Sequence, residues 1–116
     1  MDRIPEKLVI NSKSNKIFIS FDEIIYCKAD GPYSIIKLVS GRSFQICRPL
    51  KHLDEQFVDT SLFRANRQYL VNLFHIEKCI RNRHYKIIMN NGESICVSVR
   101  NVPAMNKKIE ELFIII

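Results

Sequence analysis

The sequence contains few glycines and no apolar run long enough for a membrane span. Its three glycines, at positions 31, 41 and 92, lie far apart, so none can belong to a glycine-rich loop that cradles a phosphate. The terminal run at 112–116 is apolar but too short to cross a bilayer, and we expect it to be the buried end of a helix. The first ten residues are unlike a signal peptide. We therefore expect a cytoplasmic protein with no membrane segment.

Cysteine occurs at only four positions, 27, 47, 79 and 96, and no two of them form a Cys-x-x-Cys pair. No histidine stands at zinc-finger spacing from them, so the sequence predicts no metal site. Cys27, Cys47 and Cys96 lie within apolar segments and are predicted to be buried, reduced thiols. Cys79 has basic neighbours, which leaves its burial open.

Residue patterns for catalysis are also lacking. The three histidines, at 52, 75 and 84, have no serine or cysteine nucleophile motif beside them. The carboxylate pairs at 22–23, 54–55 and 110–111 are adjacent in sequence, so their side chains point in different directions and are typical of a solvated surface. We expect no enzymatic activity and no cofactor.

Positive charge exceeds negative charge, and the excess is concentrated in one stretch. The formal net charge is +6 and the pI is about 9.3. Between positions 64 and 86, Glu77 is the single acidic residue among six cationic ones: Arg64, Arg67, Lys78, Arg81, Arg83 and Lys86. Such a stretch is typical of a protein that binds nucleic acid, an anionic membrane or an acidic protein.

Hydrophobic alternation predicts a mainly β domain. The alternation indicates eight strands, at 7–11, 16–21, 24–28, 34–39, 42–47, 75–80, 85–89 and 93–99. Turn residues separate several of them, most clearly at 30–32 (Asp-Gly-Pro) and 90–92 (Asn-Asn-Gly).

Two helices complete the predicted fold. Apolar residues recur at helical spacing from Leu50 to Val58, just after Pro49, which indicates a short mid-chain helix. Asn101 is expected to cap a C-terminal helix that runs through Phe113.

Three polar segments stand at predicted strand ends: 28–34 (KADGPYS), 64–69 (RANRQY) and 98–101 (SVRN). They contain the side chains that DNA-binding proteins use, since arginine can donate two hydrogen bonds to guanine and asparagine or glutamine can pair with adenine. Ordinary loops of a basic protein have a similar composition. No helix-turn-helix, zinc-finger or RNP pattern is present. The residues alone therefore indicate a basic β-rich domain that binds nucleic acid, with ordinary loops as the alternative.

Three blocks of the sequence resemble those of LytTR domains. Residues 22–34 (DEIIYCKADGPYS) are similar to the opening DIIYIEADGNYS of that family, residues 63–72 (FRANRQYLVN) to its FRIHRSYLVN block, and residues 91–100 (NGESICVSVR) to its closing DGxxIPVSRR strand. The order and spacing of the blocks agree over about residues 7–113. We interpret 7–113 as a LytTR-type domain, with short tails at 1–6 and 114–116.

The resemblance implies a DNA-binding domain of bacterial transcription regulators, built of small antiparallel sheets with one short mid-chain helix and a C-terminal helix. Such domains usually form the output half of a two-component response regulator, after a receiver domain. The resemblance also implies a dimer on double-stranded DNA at tandem promoter repeats, with strand-end loops in the major groove. The alternatives are an RNA or single-strand binding module, or a basic protein-interaction domain.

By position, the resemblance assigns DNA contacts to eight residues: Tyr33, Ser34, Asn66, Arg67, Gln68, Ser98, Arg100 and Asn101. Asn66 stands where the family usually has histidine, and Gln68 where it usually has serine. Val99-Arg100 supplies one cation where the family commonly has two. Residues 69–71 are expected to anchor the second block in the core, so that Arg67 projects with little freedom to lose on binding. Asn72 is predicted to bond to backbone in its turn.

Overall fold

The computed structural model describes residues 6–116, which form ten strands and two α-helices. The strands are β1 (Lys7–Asn11), β2 (Lys16–Ser20), β3 (Ile24–Asp30), β4 (Tyr33–Leu38), β5 (Ser43–Ile46), β6 (Leu62–Arg64), β7 (Tyr69–Asn72), β8 (Ile76–Arg81), β9 (Tyr85–Met89) and β10 (Ser94–Cys96). The helices are α1 (Leu50–Gln56) and α2 (Val102–Leu112), and short 3-10 turns occupy Phe21–Glu23, Leu73–His75 and Val99–Asn101.

The strands form three antiparallel sheets. β1 pairs with β2, the second sheet has the order β5-β4-β3-β7-β6, and the third has the order β10-β9-β8. The mainly β class, with small antiparallel sheets and two helices, is therefore confirmed. The tails predicted at 1–6 and 114–116 stay a prediction, and residues 1–5 lie outside the described part of the chain.

The β3–β4 and β9–β10 hairpins turn at the positions that the sequence predicted. Asp30 pairs with Tyr33 across the β3–β4 turn, where Gly31 has a φ of 59°, in the left-handed region that favours glycine. Gly92 has a φ of 88° in the β9–β10 turn, and the Met89 amide donates to the Glu93 carbonyl across it. Both hairpins thus form because a glycine occupies the one position that disfavours a side chain.

Two strands were missing from the prediction. The eight predicted strands left 62–72 without one, whereas the structure places β6 and β7 there, separated by the polar loop 65–68. The two strands are only three and four residues long, and β7 finds its main partner far away in sequence, with Val71 opposite Tyr26 of β3. β6 and β7 also pair with each other as a local hairpin, but both are too short to show a clear alternation of apolar and polar residues.

The five-stranded sheet separates two hydrophobic cores. One face packs against α1, with a core that includes Ile24, Cys27, Ile36, Leu50, Leu53 and Leu70. The other face packs against the three-stranded sheet and α2, with a core that includes Ile25, Tyr26, Val71, Ile87, Met89 and Met105. The central strand β3 is therefore buried on both faces over its first four residues, and neighbouring residues of β7 enter opposite cores.

Two of the cysteine predictions are wrong. Cys27 is buried, but Cys47 and Cys96 are exposed and Cys79 is partly buried. Alternation along β10 explains Cys96, because Ile95 points into the core and the next side chain must point out. Cys47 follows the end of β5, the outermost strand of its sheet, and no other strand among residues 6–116 pairs with that edge.

The ends of both helices also differ from the prediction. Helix α1 ends at Gln56, so Val58 lies outside it and is 69% exposed. Asn101 precedes α2 as expected, but its side chain makes no capping hydrogen bond to the helix. The apolar residues 112–116 are exposed, although the Phe113 ring packs edge-to-face on Phe74 at 5.2 Å between centroids.

Within residues 6–116, neither helix is long and apolar enough to cross a membrane. The same residues contain no group of three or more histidine, cysteine, aspartate or glutamate side chains placed to hold a metal ion.

Candidate nucleic-acid interface

Five strand ends meet at one end of the five-stranded sheet, which we call the loop end. Because neighbouring strands are antiparallel, β3, β5 and β6 end there, and β4 and β7 begin there. The β3–β4 turn (30–33) and the β6–β7 loop (65–68) therefore emerge side by side. The amide of Ala29 donates to the carbonyl of Gln68 at 2.8 Å, which ties the two together.

The third polar segment, residues 98–101, joins this end from the other sheet. After β10 the amide of Val97 donates to the Tyr85 carbonyl at 2.8 Å. The next amide, that of Ser98, donates to the Ala65 carbonyl in the β6–β7 loop at 2.9 Å. The three polar segments of the sequence are thus contiguous in space, with 65–68 in the middle.

The two arginines of the β6–β7 block have opposite roles. The guanidinium of Arg64 turns inward, where Nε donates to the Asn66 carbonyl at 2.8 Å and Nη2 to the Arg67 carbonyl at 2.9 Å. It also lies 3.8 Å from a carboxylate oxygen of Asp54 on α1. Arg67 is exposed, and its side chain has no hydrogen-bond or ion-pair partner among residues 6–116. Arg64 therefore holds the loop that presents Arg67.

Four of the eight predicted contact residues are available to a ligand. Tyr33, Arg67, Gln68 and Arg100 are all exposed at the loop end, and within the described chain their side-chain polar groups have no partner. Two of the four are cationic. They come from three different segments, so together they define a surface rather than a point.

The asparagines of this site are already engaged. Asn66 Oδ1 accepts from the amides of Gln68 and Tyr69 at 2.7 and 3.1 Å, and its Nδ2 donates to the Cys96 carbonyl at 2.6 Å. Asn101 Nδ2 lies 3.3 Å from the carbonyl oxygens of both Arg64 and Ala65. Both side chains hold backbone where the resemblance implied contacts to DNA.

The two serines differ from one another. Ser34 is fully buried, and its hydroxyl donates to the Arg48 carbonyl at 2.7 Å. Its side chain cannot reach DNA in this conformation, so it is removed from the candidate interface. Ser98 is partly buried, and its backbone amide is taken by Ala65.

The residues beneath the β6–β7 loop hold it against the core. Leu70 is fully buried, and the Tyr69 ring packs edge-to-face on Tyr26 at 5.3 Å. Asn72 is also fully buried. It donates to the carbonyls of Phe21 and Ile24 and accepts from the Phe74 amide and the Ser61 hydroxyl. The prediction that Asn72 bonds to backbone is therefore confirmed.

Two further cations lie at the loop end: Lys28, which belongs to the polar segment 28–34 but was not among the eight assigned contacts, and Arg48, which the sequence did not indicate. Lys28 near the end of β3 is exposed, with its ammonium 5.8 Å from the centroid of the Tyr69 ring. Arg48 is exposed just after β5, and it donates to Gln56 at 2.9 Å. Both could have been found once the strand order was known, because β3 and β5 end on the same side.

The charge-rich stretch 64–86 is divided between two places. Arg64 and Arg67 belong to the loop end, whereas Arg81 and Arg83 lie in or beside the exposed β8–β9 turn of the three-stranded sheet. That turn is at the end of the sheet where β10 stops, since Cys96 pairs with Lys86. The basic turn therefore flanks residues 97–101.

The loop end as a whole presents exposed cations and amides on a rigid base. Its arginines can each donate two hydrogen bonds to guanine or a phosphate, and its glutamine can pair with adenine. Short, backbone-bonded loops lose little conformational freedom on binding. The arrangement therefore offers a candidate surface for nucleic acid that is built of loops at strand ends.

Comparison with known proteins gives the family. The model of the LytTr DNA-binding domain matches residues 14–110, so the chain belongs to the LytTR family of DNA-binding domains. Among solved structures, the chain is similar to the LytTr DNA-binding domain of a protein assigned as a methyl-accepting/DNA response regulator from Bacillus cereus. The identity is 18% and the TM-score is 0.72, with 89% of this chain and 95% of that chain covered. No curated protein sequence matches the chain.

Proposed function

We propose that this domain binds double-stranded DNA in a sequence-specific manner and regulates transcription. The loop end is the DNA-binding surface, and its segments 30–33, 65–68 and 97–101 enter the major groove. Tyr33, Arg67, Gln68 and Arg100 are the proposed contact residues.

One observation supports this proposal above all others. Arg67 and Arg100 come from different sheets, yet both stand exposed and unpaired, within residues 6–116, on segments joined by a 2.9 Å backbone hydrogen bond. An exposed arginine on a mobile loop would be an ordinary solvated residue. Two arginines held on fixed backbone are suited to a ligand that offers acceptors at fixed positions, as base edges and phosphates do.

The size of the domain also suits a duplex. Its principal extents are 47 × 36 × 25 Å, and one turn of B-DNA is about 34 Å long. The loop end and the flanking basic turn at 81–84 can therefore contact grooves and intervening phosphates within about one turn. Lys28 and Arg48 are placed to neutralise further phosphates.

The wider setting is part of the proposal. A solved relative of this fold is assigned to a response regulator. We infer that this domain is likewise the output unit of a bacterial two-component response regulator, working on promoter DNA in the cytoplasm. Two copies would occupy tandem repeats, so that dimerisation takes place on the DNA.

A binding selection followed by titration tests the function. Duplexes are selected from a random library, and the domain is then titrated with the selected duplex, a scrambled duplex, the single strand and the equivalent RNA at two salt concentrations. We expect tightest binding to the selected duplex, with log affinity falling against log salt by about 0.9 for each phosphate neutralised.

The same titrations distinguish the alternatives. Tighter binding to the single strand or the RNA would indicate a single-strand or RNA binding module. No measurable binding to any nucleic acid would favour a basic protein-interaction domain. Equal binding to selected and scrambled duplexes would contradict sequence specificity, although the DNA-binding class would stand.

A further inference from the structure

The separation between Arg67 and Arg100 depends on how two sheets are joined. Arg67 lies in the loop between β6 and β7 of the five-stranded sheet, and Arg100 follows β10 of the three-stranded sheet. The position of one relative to the other therefore depends on contacts between residues 64–66 and residues 96–101.

Four hydrogen bonds make that connection. Asn66 Nδ2 donates to the Cys96 carbonyl at 2.6 Å, and the Ser98 amide donates to the Ala65 carbonyl at 2.9 Å. Asn101 Nδ2 lies 3.3 Å from the carbonyl oxygens of Arg64 and Ala65. Three of the four bonds come from the two asparagine side chains.

Asn66 also determines the shape of the loop that carries Arg67. Its Oδ1 accepts from two successive backbone amides, those of Gln68 and Tyr69. From the other side, the Arg64 guanidinium donates to the carbonyls of Asn66 and Arg67. The backbone of Arg67 is thus fixed by side chains on both sides.

These bonds leave Asn66 unsuited to read a base. An asparagine pairs with adenine by using its carbonyl oxygen and its amino group together. The oxygen of Asn66 already accepts two hydrogen bonds, and the amino group is held by the Cys96 carbonyl. Pairing with adenine would require the loop to come apart.

We propose that Asn66 and Asn101 are positioning residues, which hold Arg67 and Arg100 at a fixed separation and thereby determine sequence preference without touching DNA. Arg64 serves the same end inside the loop. This inference rests on the proposed function, because it concerns the same surface and the same duplex. It reverses the role that the family resemblance implied for the two asparagines.

Titration of single and double variants tests the proposal. The variants are Asn66→Ala, Asn101→Ala, Arg67→Ala and the double variant Asn66→Ala with Arg67→Ala, each measured on the selected and scrambled duplexes. Asn66→Ser is a milder second variant, because the short hydroxyl can still accept from the loop amides but cannot reach Cys96. Asn90→Ala is the matched control, since Asn90 is an exposed asparagine at the far end of the β9–β10 hairpin.

We expect Asn66→Ala and Asn101→Ala each to weaken binding to the selected duplex about tenfold, and binding to the scrambled duplex less than about twofold. The dependence on salt should stay unchanged, because no phosphate contact is lost. Adding Asn66→Ala to Arg67→Ala should cost clearly less than the tenfold loss of Asn66→Ala alone, since Arg67 no longer needs to be positioned and only Gln68 remains to be displaced. The control Asn90→Ala should leave both duplexes unaffected.

Two outcomes would overturn the proposal while leaving the proposed function intact. A further tenfold loss in the double variant would mean that Asn66 acts other than by positioning Arg67. Wild-type specificity in Asn66→Ser and Asn101→Ala would mean that the hydrogen bonds between residues 64–66 and residues 96–101 have no role in recognition. Melting curves show which variants are folded, and hydrogen exchange at the Ser98 amide should quicken in Asn66→Ala whether or not DNA is present.

A wild-type domain that does not distinguish the selected duplex from the scrambled one would instead contradict the proposed function. The positioning proposal would then fail with it. The two failures are distinguishable. A failure of the positioning proposal alone is seen only in the variants, whereas a failure of the proposed function is seen already in the wild-type protein.

Discussion

The hydroxyl of Tyr26 donates a hydrogen bond to the carboxylate of Glu93, with 3.1 Å between the oxygens, across 67 positions of the sequence. Tyr26 lies on β3 in the five-stranded sheet, and Glu93 lies in the β9–β10 turn of the three-stranded sheet. Burial, together with the neighbouring carboxylate, raises the pKa of Tyr26, so the phenol stays protonated and can donate. This bond therefore joins the sheets that carry Arg67 and Arg100.

Tyr26→Phe should lower the free energy of unfolding by about 1–2 kcal/mol, because it removes a partly buried hydrogen bond to a charged group. Tyr33→Phe is the control, since Tyr33 is 41% exposed and should change stability by less than about 0.5 kcal/mol. Urea denaturation of both variants measures the difference. Equal stability of the two would show that the Tyr26 bond adds nothing measurable to the stability of the contact between the sheets.

The cysteines should label in three groups with a thiol reagent in the folded protein. Cys47 and Cys96 are exposed and should react quickly, partly buried Cys79 more slowly, and Cys27 only on unfolding. Burial raises the pKa of the Cys27 thiol to about 12, so it remains protonated over the usual range. Mass spectrometry of labelled peptides against time gives the order in which the cysteines react. Rapid labelling of Cys27 would contradict its burial in the core.

The raised pKa of Cys27 also makes stability depend on pH. The unfolded thiol ionises near its ordinary value of 9.0, whereas the folded one does not ionise until about 12. The stability contributed by the buried neutral thiol is therefore present below pH 9 and is lost as the pH rises toward 12. Cys27→Ala should flatten the alkaline fall in melting temperature relative to the wild type.

Leu70→Ala and Arg67→Ala should have opposite effects. Leu70 is fully buried, so truncation should cost about 2–5 kcal/mol of stability through a cavity. Arg67 is exposed, so its loss should leave the melting temperature almost unchanged but remove about 1–3 kcal/mol of affinity for the selected duplex. If Arg67→Ala weakened selected and scrambled duplexes alike, Arg67 would be a phosphate contact rather than a base contact.

Val99→Arg should strengthen binding to every duplex. Val99 is 89% exposed at the loop end, beside Arg100, so a new guanidinium there has no core to disturb. Each added phosphate contact should steepen the slope of log affinity against log salt by about 0.9. Val99→Gln is the neutral control. An unchanged slope in Val99→Arg would mean that residue 99 does not face the phosphates.

The sequence was sufficient for those features that depend on local chemistry. The Asn-Gly turn at 91–92, the Gly-Pro turn at 31–32 and the presence of both helices, though not their ends, were correctly predicted, because each depends on residues close in sequence. The strands β6 and β7 were not, since they are only three and four residues long and β7 also pairs with β3, more than 40 residues away in sequence. Cys96 was misjudged because an apolar context was taken as burial, although its neighbour Ile95 fills the core position.

The sequence was enough to locate the candidate site, but not to say which of its residues face a ligand and which hold the backbone. The family resemblance predicted that Arg67 projects, and it is exposed, but residue type alone does not distinguish it from Arg64, three positions earlier. The difference arises from acceptors supplied by distant backbone and by Asp54. Asn66 and Asn101 likewise looked like base-contacting residues, until the structure placed the carbonyls of Cys96, Arg64 and Ala65 beside them.

The central claim is that the loop end is the DNA-binding surface, and a map of amide protection tests it most directly. Hydrogen exchange or amide chemical shifts would be recorded with and without the selected duplex. We expect the changes to be concentrated at 28–34, 64–69 and 96–101, with a weaker effect at 81–84. Changes concentrated instead at the opposite end of the five-stranded sheet, around Asp22, Ser61 and Phe74, with the loop end unaffected, would contradict the claim.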